Sequence, residues 1–290
     1  MAVRKDTIFE RFLAPVFKTF LLDQEGLRRF YESIDWQTAV TRLTDPTLVY
    51  PTYYSSQNFH GIEGGYLNTS AAVSYDPITQ YALPPGEALV RQSFIDAIQA
   101  KPRRILDLGC GTGSTTLLLK RAFPQAEVIG LDLSPQMLVV AEHKATQAGL
   151  EIQWRHGNAE HTGLPDASFD LVTASLLFHE TPPVVSQAIL QESYRLLTVG
   201  GEVAILDGNQ KMLRQTEWLT QIFEEPYIQA YADGSVDAWM GAAHFEAVQT
   251  QDLWWLHQIT LGVKPLPYRR VEVASDAMNL ELNDRQWALG

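Results

Sequence analysis

Apolar and polar positions recur with two different periods through the middle of the chain, which predicts strands and helices in turn. The short apolar run 104–108 passes through a glycine-rich loop into the stretch 114–121, which has helical spacing. A second apolar run, 128–133, is followed by Ser134 and Pro135, an N-cap and a first helical residue. The order strand, helix, strand indicates a parallel sheet with helices packed on it.

The same order continues toward the C-terminus. A third element covers 152–160, and later strands are expected at 171–175, 203–207, 247–253 and 257–263. Gly200 and Gly201 end an amphipathic helix over 184–197. Because only a few residues separate the last two strands, they should form a hairpin. The predicted fold class is therefore α/β, a doubly wound, seven-stranded, mostly parallel sheet whose last strand runs antiparallel.

The chain length limits the domain organisation. At 290 residues the chain is near the upper size for one hydrophobic core. We expect one core domain over residues 96–266, with a helical insert at 208–240. An N-terminal helical and aromatic loop segment, 1–95, precedes this core, and a peripheral tail, 267–290, follows it.

The glycine-rich loop between the first strand and helix has the pattern of a cofactor site, because glycines let a backbone approach a ligand closely. A dinucleotide site would need Gly-x-Gly-x-x-Gly. Here the third glycine, Gly113, comes one position too early, and Ser114 occupies the position of the usual glycine or alanine. The Asp107 carboxylate would repel a pyrophosphate but attract an ammonium group. The glycine spacing therefore disfavours a dinucleotide, and the Asp107 carboxylate favours a ligand with a positive charge.

An acidic residue two positions before Gly-x-Gly-x-Gly resembles the first motif of class I S-adenosylmethionine-dependent methyltransferases. The stretch 152–172 also resembles this family, and so does the Leu-x-x-Gly-Gly spacing at 197–201. The small-molecule branch, of the ubiquinone and menaquinone biosynthesis type, is the part of the family that the chain resembles. The resemblance spans roughly residues 85–265 and implies a Rossmann-like methyltransferase fold with S-adenosylmethionine as cofactor.

Asp132 ends the second strand, where ligands bind in open α/β sheets. Its carboxylate can accept hydrogen bonds from both ribose hydroxyls, although it could also only assist the cap at Ser134. Where the family has an acidic residue for the adenine amino group, this chain has Asn158, whose amide oxygen can still accept that bond. Met137 could contact the adenine or only pack in the core. The implied cofactor contacts are Asp107, Gly109, Cys110, Gly111, Gly113, Asp132, Leu133, Met137, Asn158, Ala159 and Ser175.

The segment before the first strand is rich in tyrosine between residues 46 and 86, which predicts an aromatic-lined loop region. In small-molecule members of the family this segment covers the cofactor and shapes the acceptor pocket; packing of the tyrosines on the surface is the alternative. Residues 8–21 have helical apolar spacing. A core-packing or lid helix is the first interpretation, and peripheral contact with a membrane is the second.

The charge and the cysteine content of the chain argue against several kinds of partner and site. The net charge is −12 and the pI is near 5.0, which disfavours nucleic acid as a partner. The single cysteine, Cys110, cannot form an internal disulfide, and no spacing of His and Cys indicates a metal site. Charged residues interrupt the N-terminus, so we expect no secretory signal and a cytoplasmic location. The oligomeric state cannot be read from the sequence.

The predicted function is transfer of a methyl group to a small, apolar or aromatic acceptor such as a quinone, phenol or isoprenoid-like molecule. The cofactor carries the reactivity, and the protein aligns the reactants. If the acceptor must lose a proton, His179 is the first candidate for the general base, followed by His60 and Tyr66. His179 could instead only tie down its loop. The alternatives are a nicotinamide-dependent oxidoreductase and a subunit that binds the nucleoside without turnover.

Overall fold

A seven-stranded sheet organises the residues that this computed structural model describes, which are 23–82, 85–216 and 225–266. The strands lie in the order β3-β2-β1-β4-β5-β7-β6, and β7 is antiparallel to both of its neighbours. The predicted fold class is confirmed, including the antiparallel last strand. The strands are β1 (Arg104–Leu108), β2 (Glu127–Asp132), β3 (Gln153–His156), β4 (Phe169–Ser175), β5 (Leu197–Gly208), β6 (Glu246–Leu253) and β7 (His257–Val263).

Helices surround this sheet, and three short 3-10 turns, Phe59–Gly61, Gly65–Leu67 and Phe178–Glu180, connect elements near one edge. The predicted N-cap of the helix after β2 is present, because the Ser134 hydroxyl accepts from the Met137 N–H at 3.1 Å. The helices are α1 (Gln24–Glu32), α2 (Trp36–Leu43), α3 (Thr52–Ser55), α4 (Thr69–Ala82), α5 (Glu87–Ala97), α6 (Ser114–Ala122), α7 (Pro135–Gln147), α8 (Pro183–Leu196), α9 (Gln210–Gln215), α10 (Ile228–Ala232) and α11 (Val236–Ala242).

Both faces of the sheet are covered, which explains why its central strands read as continuous apolar runs. Neighbouring residues on a strand point to opposite faces. On β1, Ile105 belongs to the cluster that includes Phe94 and Leu119, whereas Leu106 belongs to the cluster that includes Ile189 and Tyr231. Two apolar layers thus hold the strands in register and place their carboxyl ends along one edge.

The described part of the N-terminal segment packs onto the core through a third apolar cluster. Phe59, Tyr66 and Ala72 lie against Met137 and Val140 of α7. This contact holds the segment over the carboxyl ends of the strands, where a lid was expected.

Two boundaries and one loop differ from the sequence-based predictions. The boundary at residue 95 falls inside α5, and the end of the insert at residue 240 falls inside α11. The expected aromatic loop contains the 14-residue helix α4. Its first turn is stabilised by Asn68, whose side-chain oxygen accepts from the Ser70 N–H at 2.8 Å, and Pro77 lies within the helix.

Some predictions fall outside the described residues. These are the helix at 8–21, the part of the insert at 217–224 and the tail at 267–290. Within the described ranges, no helix is long and apolar enough to cross a bilayer.

Candidate active site

A pocket of about 820 Å³, partly open to solvent, lies at the carboxyl ends of β1, β2 and β4. The glycine loop and β2 form one side, and the N-terminal segment forms the other. Of the predicted cofactor contacts, those that line it are Gly109, Cys110, Gly111, Asp132, Leu133, Met137, Asn158, Ala159 and Ser175.

The glycine loop requires glycine at two positions for different packing reasons. Gly109 has φ of +61°, and a Cβ there would lie 2.6 Å from a methyl carbon of Leu177. Gly113 has φ of +77° and precedes α6; a Cβ there would lie 2.7 Å from the Trp154 ring. Gly113 therefore does not line the pocket but lets α6 start close to α7 and β3.

Asp107 does not occupy the place that the sequence suggested. Its carboxylate is fully buried, accepts from the hydroxyls of Thr116 at 2.6 Å and Thr173 at 2.8 Å, and is absent from the pocket lining. Burial raises its pKa to about 6, although the two threonine bonds oppose this rise. The expected direct contact with an ammonium group is therefore corrected: Asp107 ties β1 to α6 and β4 beneath the loop.

Asp132 both faces the pocket and holds the loop. One of its oxygens accepts from the Gly111 N–H at 2.8 Å, and the other accepts from the Ser134 N–H at 2.7 Å. Burial raises the pKa of Asp132 to about 6, against the effect of these two backbone bonds. The cap role and the pocket-lining position therefore occur together in the same side chain.

Other predicted contacts sit at the remaining strand ends. Asn158 lines the pocket while its side-chain oxygen accepts from the Glu160 N–H at 2.9 Å. Ser175 ends β4 and shares a hydrogen bond of 2.8 Å with Thr115. The buried Cys110 thiol has a pKa well above its usual value because of desolvation, so it is a small packing group in the loop.

Sequence reasoning missed Arg91, a buried guanidinium that lines the pocket. Its Nε donates to Glu87 at 2.7 Å, and its Nη1 donates to Thr115 at 2.5 Å and to Ser175 at 3.2 Å. The spacing of Glu87 and Arg91, four residues apart on a helix, was the available signal. It gave no indication of the pocket, because α5 precedes the motif region and reaches it only through packing.

An aromatic wall lies opposite the glycine loop and is defined by Tyr53, Tyr54, Phe59, Tyr66 and Tyr75. Its rings contact one another: Phe59 stacks on Tyr66 with centroids 5.3 Å apart, and Tyr75 meets Tyr66 edge-on at 6.0 Å. Four tyrosines of the N-terminal segment thus line the pocket, whereas the Tyr50 hydroxyl lies 3.1 Å from His156 Nε2 outside it.

Asp76 on α4 connects this wall to the glycine loop. Its carboxylate accepts from the Thr112 hydroxyl at 2.5 Å and from the Lys144 ammonium at 2.5 Å. The pair with Lys144 is partly buried, and α4 carries Tyr75 directly beside Asp76. These contacts fix α4 on the loop and on α7.

We expect Asp76→Ala to loosen this connection. The loss of charge-assisted bonds should lower the free energy of unfolding by about 2 kcal/mol and the melting temperature by roughly 4–8 °C. Thermal unfolding measures the change. Asp96→Ala on the exposed face of α5 is the matched control and should change little, because its carboxylate accepts from Gln92 on the same helix. Equal melting temperatures for the two variants would show that the connection contributes no stability.

His179 is also placed differently from the prediction. It follows β4 but is not part of the pocket lining, and both ring nitrogens are engaged: Nδ1 lies 2.5 Å from Asp207 and Nε2 lies 3.2 Å from Glu225. Burial alone would lower its pKa, but the two carboxylates raise it well above the usual value. An imidazolium held between two carboxylates has no free nitrogen to accept a proton, so the interpretation as a loop tie fits and general base catalysis by His179 does not.

The backbone explains why Glu180, and not His179, lines the pocket. Leu176 has φ of +58° immediately after β4, and the turn Phe178–Glu180 then directs His179 toward β5 while Glu180 lines the pocket. Glu180 accepts from the Tyr66 hydroxyl, which in turn lies 2.8 Å from His60 Nε2. Tyr66 therefore lines the pocket, and His60 lies behind it.

Comparison with known proteins agrees with this geometry. Residues 105–201, which contain the glycine loop, Asp132 and Ser175, match the methyltransferase domain family. The likeness to methyltransferase domains therefore holds for this segment, about a third of the chain. The chain is 40% identical over 118 residues to a demethylmenaquinone methyltransferase of Thermus thermophilus, covering 40% of this chain and 53% of that protein. The chain spans about half the length of the curated relatives it matches.

Solved structures share the fold of the domain. PigF, solved with SAH, is 18% identical with a TM-score of 0.55, and the match covers 86% of this chain and 72% of that one. A Haemonchus contortus phosphoethanolamine N-methyltransferase 2, solved with S-adenosyl-L-methionine, is 14% identical with a TM-score of 0.54, covering 77% of this chain and 62% of that one. These likenesses establish a common architecture.

Proposed function

We propose that this chain transfers a methyl group from S-adenosylmethionine to a small acceptor bound against the aromatic wall. The observation that carries the proposal is the position of Asp132 at the tip of β2, beside a glycine loop that lines the same pocket in a methyltransferase domain. This arrangement fits a cationic nucleoside better than a dinucleotide, because the Gly111 N–H, which a pyrophosphate would need as a donor, is already bonded to the Asp132 carboxylate.

The donor would be held by groups at three strand ends. The Asp132 carboxylate would accept from the ribose hydroxyls, and the Asn158 amide oxygen from the adenine amino group. Gly109 and Gly111 leave room for the backbone to approach the methionine part. Because Asp107 is buried away from the pocket, we assign recognition of the charged methionine end to the loop backbone and to Arg91, whose guanidinium suits a carboxylate.

The bound donor supplies an electrophilic methyl carbon, and the chain's own contribution is alignment. Holding two reactants in near-attack geometry can contribute up to about 7–11 kcal/mol. The lid bonds of Asp76, and the bond of 2.7 Å that the Ser134 hydroxyl donates to the Tyr66 carbonyl oxygen, keep the aromatic wall at a set distance from the loop.

The acceptor class follows from the wall. Tyr53, Tyr54, Phe59, Tyr66 and Tyr75 offer ring faces to a flat or apolar molecule, and Glu180 with the Tyr66 hydroxyl offers one polar point. This combination suits a quinol, phenol or isoprenoid-like acceptor. The name of the Thermus thermophilus relative, demethylmenaquinone methyltransferase, supports the quinone-like member of this set.

Titration calorimetry with S-adenosylmethionine, S-adenosylhomocysteine and nicotinamide dinucleotides tests the donor. We expect one nucleoside site and no dinucleotide binding. A bound ligand at 100 times its dissociation constant should add about 2.7 kcal/mol to stability. Release of S-adenosylhomocysteine with a panel of quinols and phenols then tests turnover; binding without release for any acceptor would favour a non-catalytic subunit, and dinucleotide binding alone would favour an oxidoreductase.

Donor affinity should also depend on pH. Because burial raises the pKa of Asp132 to about 6, its carboxyl group is largely protonated at pH 5 and ionised at pH 7. The ionised form is the stronger acceptor and attracts the sulfonium charge, so the dissociation constant should fall as the pH rises from 5 to 7. Calorimetry across this range measures the change, and Asp132→Asn should flatten it. An unchanged slope in that variant would assign the dependence to another group.

A further inference from the structure

A second cluster of polar side chains lies at the edge of the pocket, outside the set that would hold the donor. His60 comes from the turn Phe59–Gly61, Glu180 from the turn after β4, and Glu225 from the segment before α10. One nitrogen or oxygen atom from each lies within 4.8 Å of the others. His60 Nε2 is 3.5 Å from Glu180 Oε1, and His60 Nδ1 is 3.9 Å from Glu225 Oε1.

Outer contacts hold both carboxylates of this cluster in place. The Tyr66 hydroxyl donates to Glu180, and His179 Nε2 lies 3.2 Å from Glu225 Oε2. His179 is fixed in turn by Asp207, which also accepts from the Phe178 N–H at 2.7 Å. Metal ligands in proteins are typically oriented by such an outer layer of hydrogen bonds.

The cluster has an excess of buried negative charge. The side chains of Glu180, Glu225 and Asp207 are 13%, 5% and 1% exposed, respectively. If the His179 ring is protonated, its single positive charge still leaves two of the three carboxylate charges uncompensated. Buried charges in proteins are paired or coordinate metals.

The two oxygens of Glu225 face different neighbours. Its Oε2 forms an ion pair with His179, 3.2 Å from Nε2, but receives no hydrogen bond of good geometry within the described residues. Its Oε1 faces His60 Nδ1 at 3.9 Å. A cation between Glu225 Oε1, Glu180 and His60 would compensate the negative charge that the His179 ring leaves uncompensated.

We propose that His60, Glu180 and Glu225 form a binding site for one divalent transition-metal cation. One imidazole and two carboxylates suit Mn²⁺, Fe²⁺ or Zn²⁺ better than Ca²⁺, which takes oxygen ligands only. The charge of the cation matches the excess of the cluster. His60, the most exposed of the three ligands at 34%, marks the side from which the cation enters.

The site adjoins the acceptor side of the pocket, because Glu180 and Tyr66 both line it. A cation there would bind a hydroxyl oxygen of the acceptor and ease loss of its proton. This role rests on the proposed function, whereas binding of the cation does not. The chemistry selects an acceptor with a free hydroxyl, such as a quinol or phenol, over a pure hydrocarbon.

The test uses the full chain, stripped with a chelator and titrated with Mn²⁺ while electron paramagnetic resonance reports free Mn²⁺. We expect one Mn²⁺ per chain, and at least about tenfold weaker binding in Glu225→Gln and in His60→Gln. Co²⁺ in the unsubstituted protein should give a visible absorption band that His60→Gln alters. The control is Glu202→Gln, a 5% exposed carboxylate that accepts from the Gln99 N–H at the opposite edge of the sheet.

Failure to bind either Mn²⁺ or Co²⁺, or equal binding by all variants, would overturn the site. If Glu225→Gln does not fold, the partly exposed His60 still gives the comparison, and circular dichroism identifies the folded variants. Calorimetry with S-adenosylmethionine on the stripped protein separates the two proposals: donor binding without metal binding rejects only the metal site, and the reverse rejects only the donor.

Discussion

Replacing Asp132 by Asn is expected to weaken S-adenosylmethionine binding by at least about tenfold, since bonds to a charged group are worth about 1.5–3 kcal/mol each. The variant keeps the size of the side chain and one acceptor oxygen, but it removes the charge. It also loses one of the two backbone bonds, to Gly111 or Ser134, because an amide offers only one acceptor atom. Calorimetry at pH 7 measures the dissociation constant.

The chain offers a matched control for this variant in Asp170. Its carboxylate also accepts from two backbone N–H groups, those of Arg103 at 2.8 Å and Arg104 at 3.0 Å, but at the opposite edge of the sheet. Asp170→Asn should lower stability and leave donor affinity unchanged. If Asp132→Asn binds the donor as well as the control does, the ribose assignment is wrong and Asp132 only supports the loop.

Replacing His179 by Ala is expected to destabilise the protein strongly. The imidazole lies between Asp207 and Glu225, and its removal leaves both buried carboxylates without the positive charge of the ring. Breaking a buried pair typically costs about 3–5 kcal/mol, which corresponds to a decrease in melting temperature of roughly 6–20 °C. Thermal unfolding at pH 7 gives the result.

The exposed His161 supplies the comparison, because His161→Ala removes the same ring from the surface and should leave the melting temperature nearly unchanged. The opposite result would contradict this prediction. A His179→Ala protein that melts normally but turns over at least about 100-fold more slowly would restore the general base that the sequence suggested.

Two side chains that the sequence directs toward the pocket have other partners in the structure. A carboxylate beside a glycine loop attracts cations, yet Thr116 and Thr173, 9 and 66 positions away in the chain, occupy both oxygens of Asp107. A residue after a parallel strand is expected at the pocket, yet the turn Phe178–Glu180 directs His179 toward Asp207. In both cases a distant residue decided which side chain met the pocket.

The order and type of the core elements could be predicted from the sequence because they depend on local information. Periodicity of apolar positions, the Ser134 cap and the glycines of the loop act over a few residues, and a right-handed parallel crossover leaves little choice of topology. The same local rules placed Asp132 at a strand tip, and the structure has it there.

Groups that meet only through packing could not be found in this way. Three such groups join segments that are far apart in the chain. They are Arg91 with its partners, the ion pair of Asp76 with Lys144, and the cluster of His60, Glu180 and Glu225. No spacing rule records such meetings, because side-chain charges and pKa values depend on burial and on neighbours from other elements. The sequence alone therefore determined the sheet, its helices and the loop at its edge, whereas tertiary packing decided which polar side chains face the pocket and which lie buried behind it.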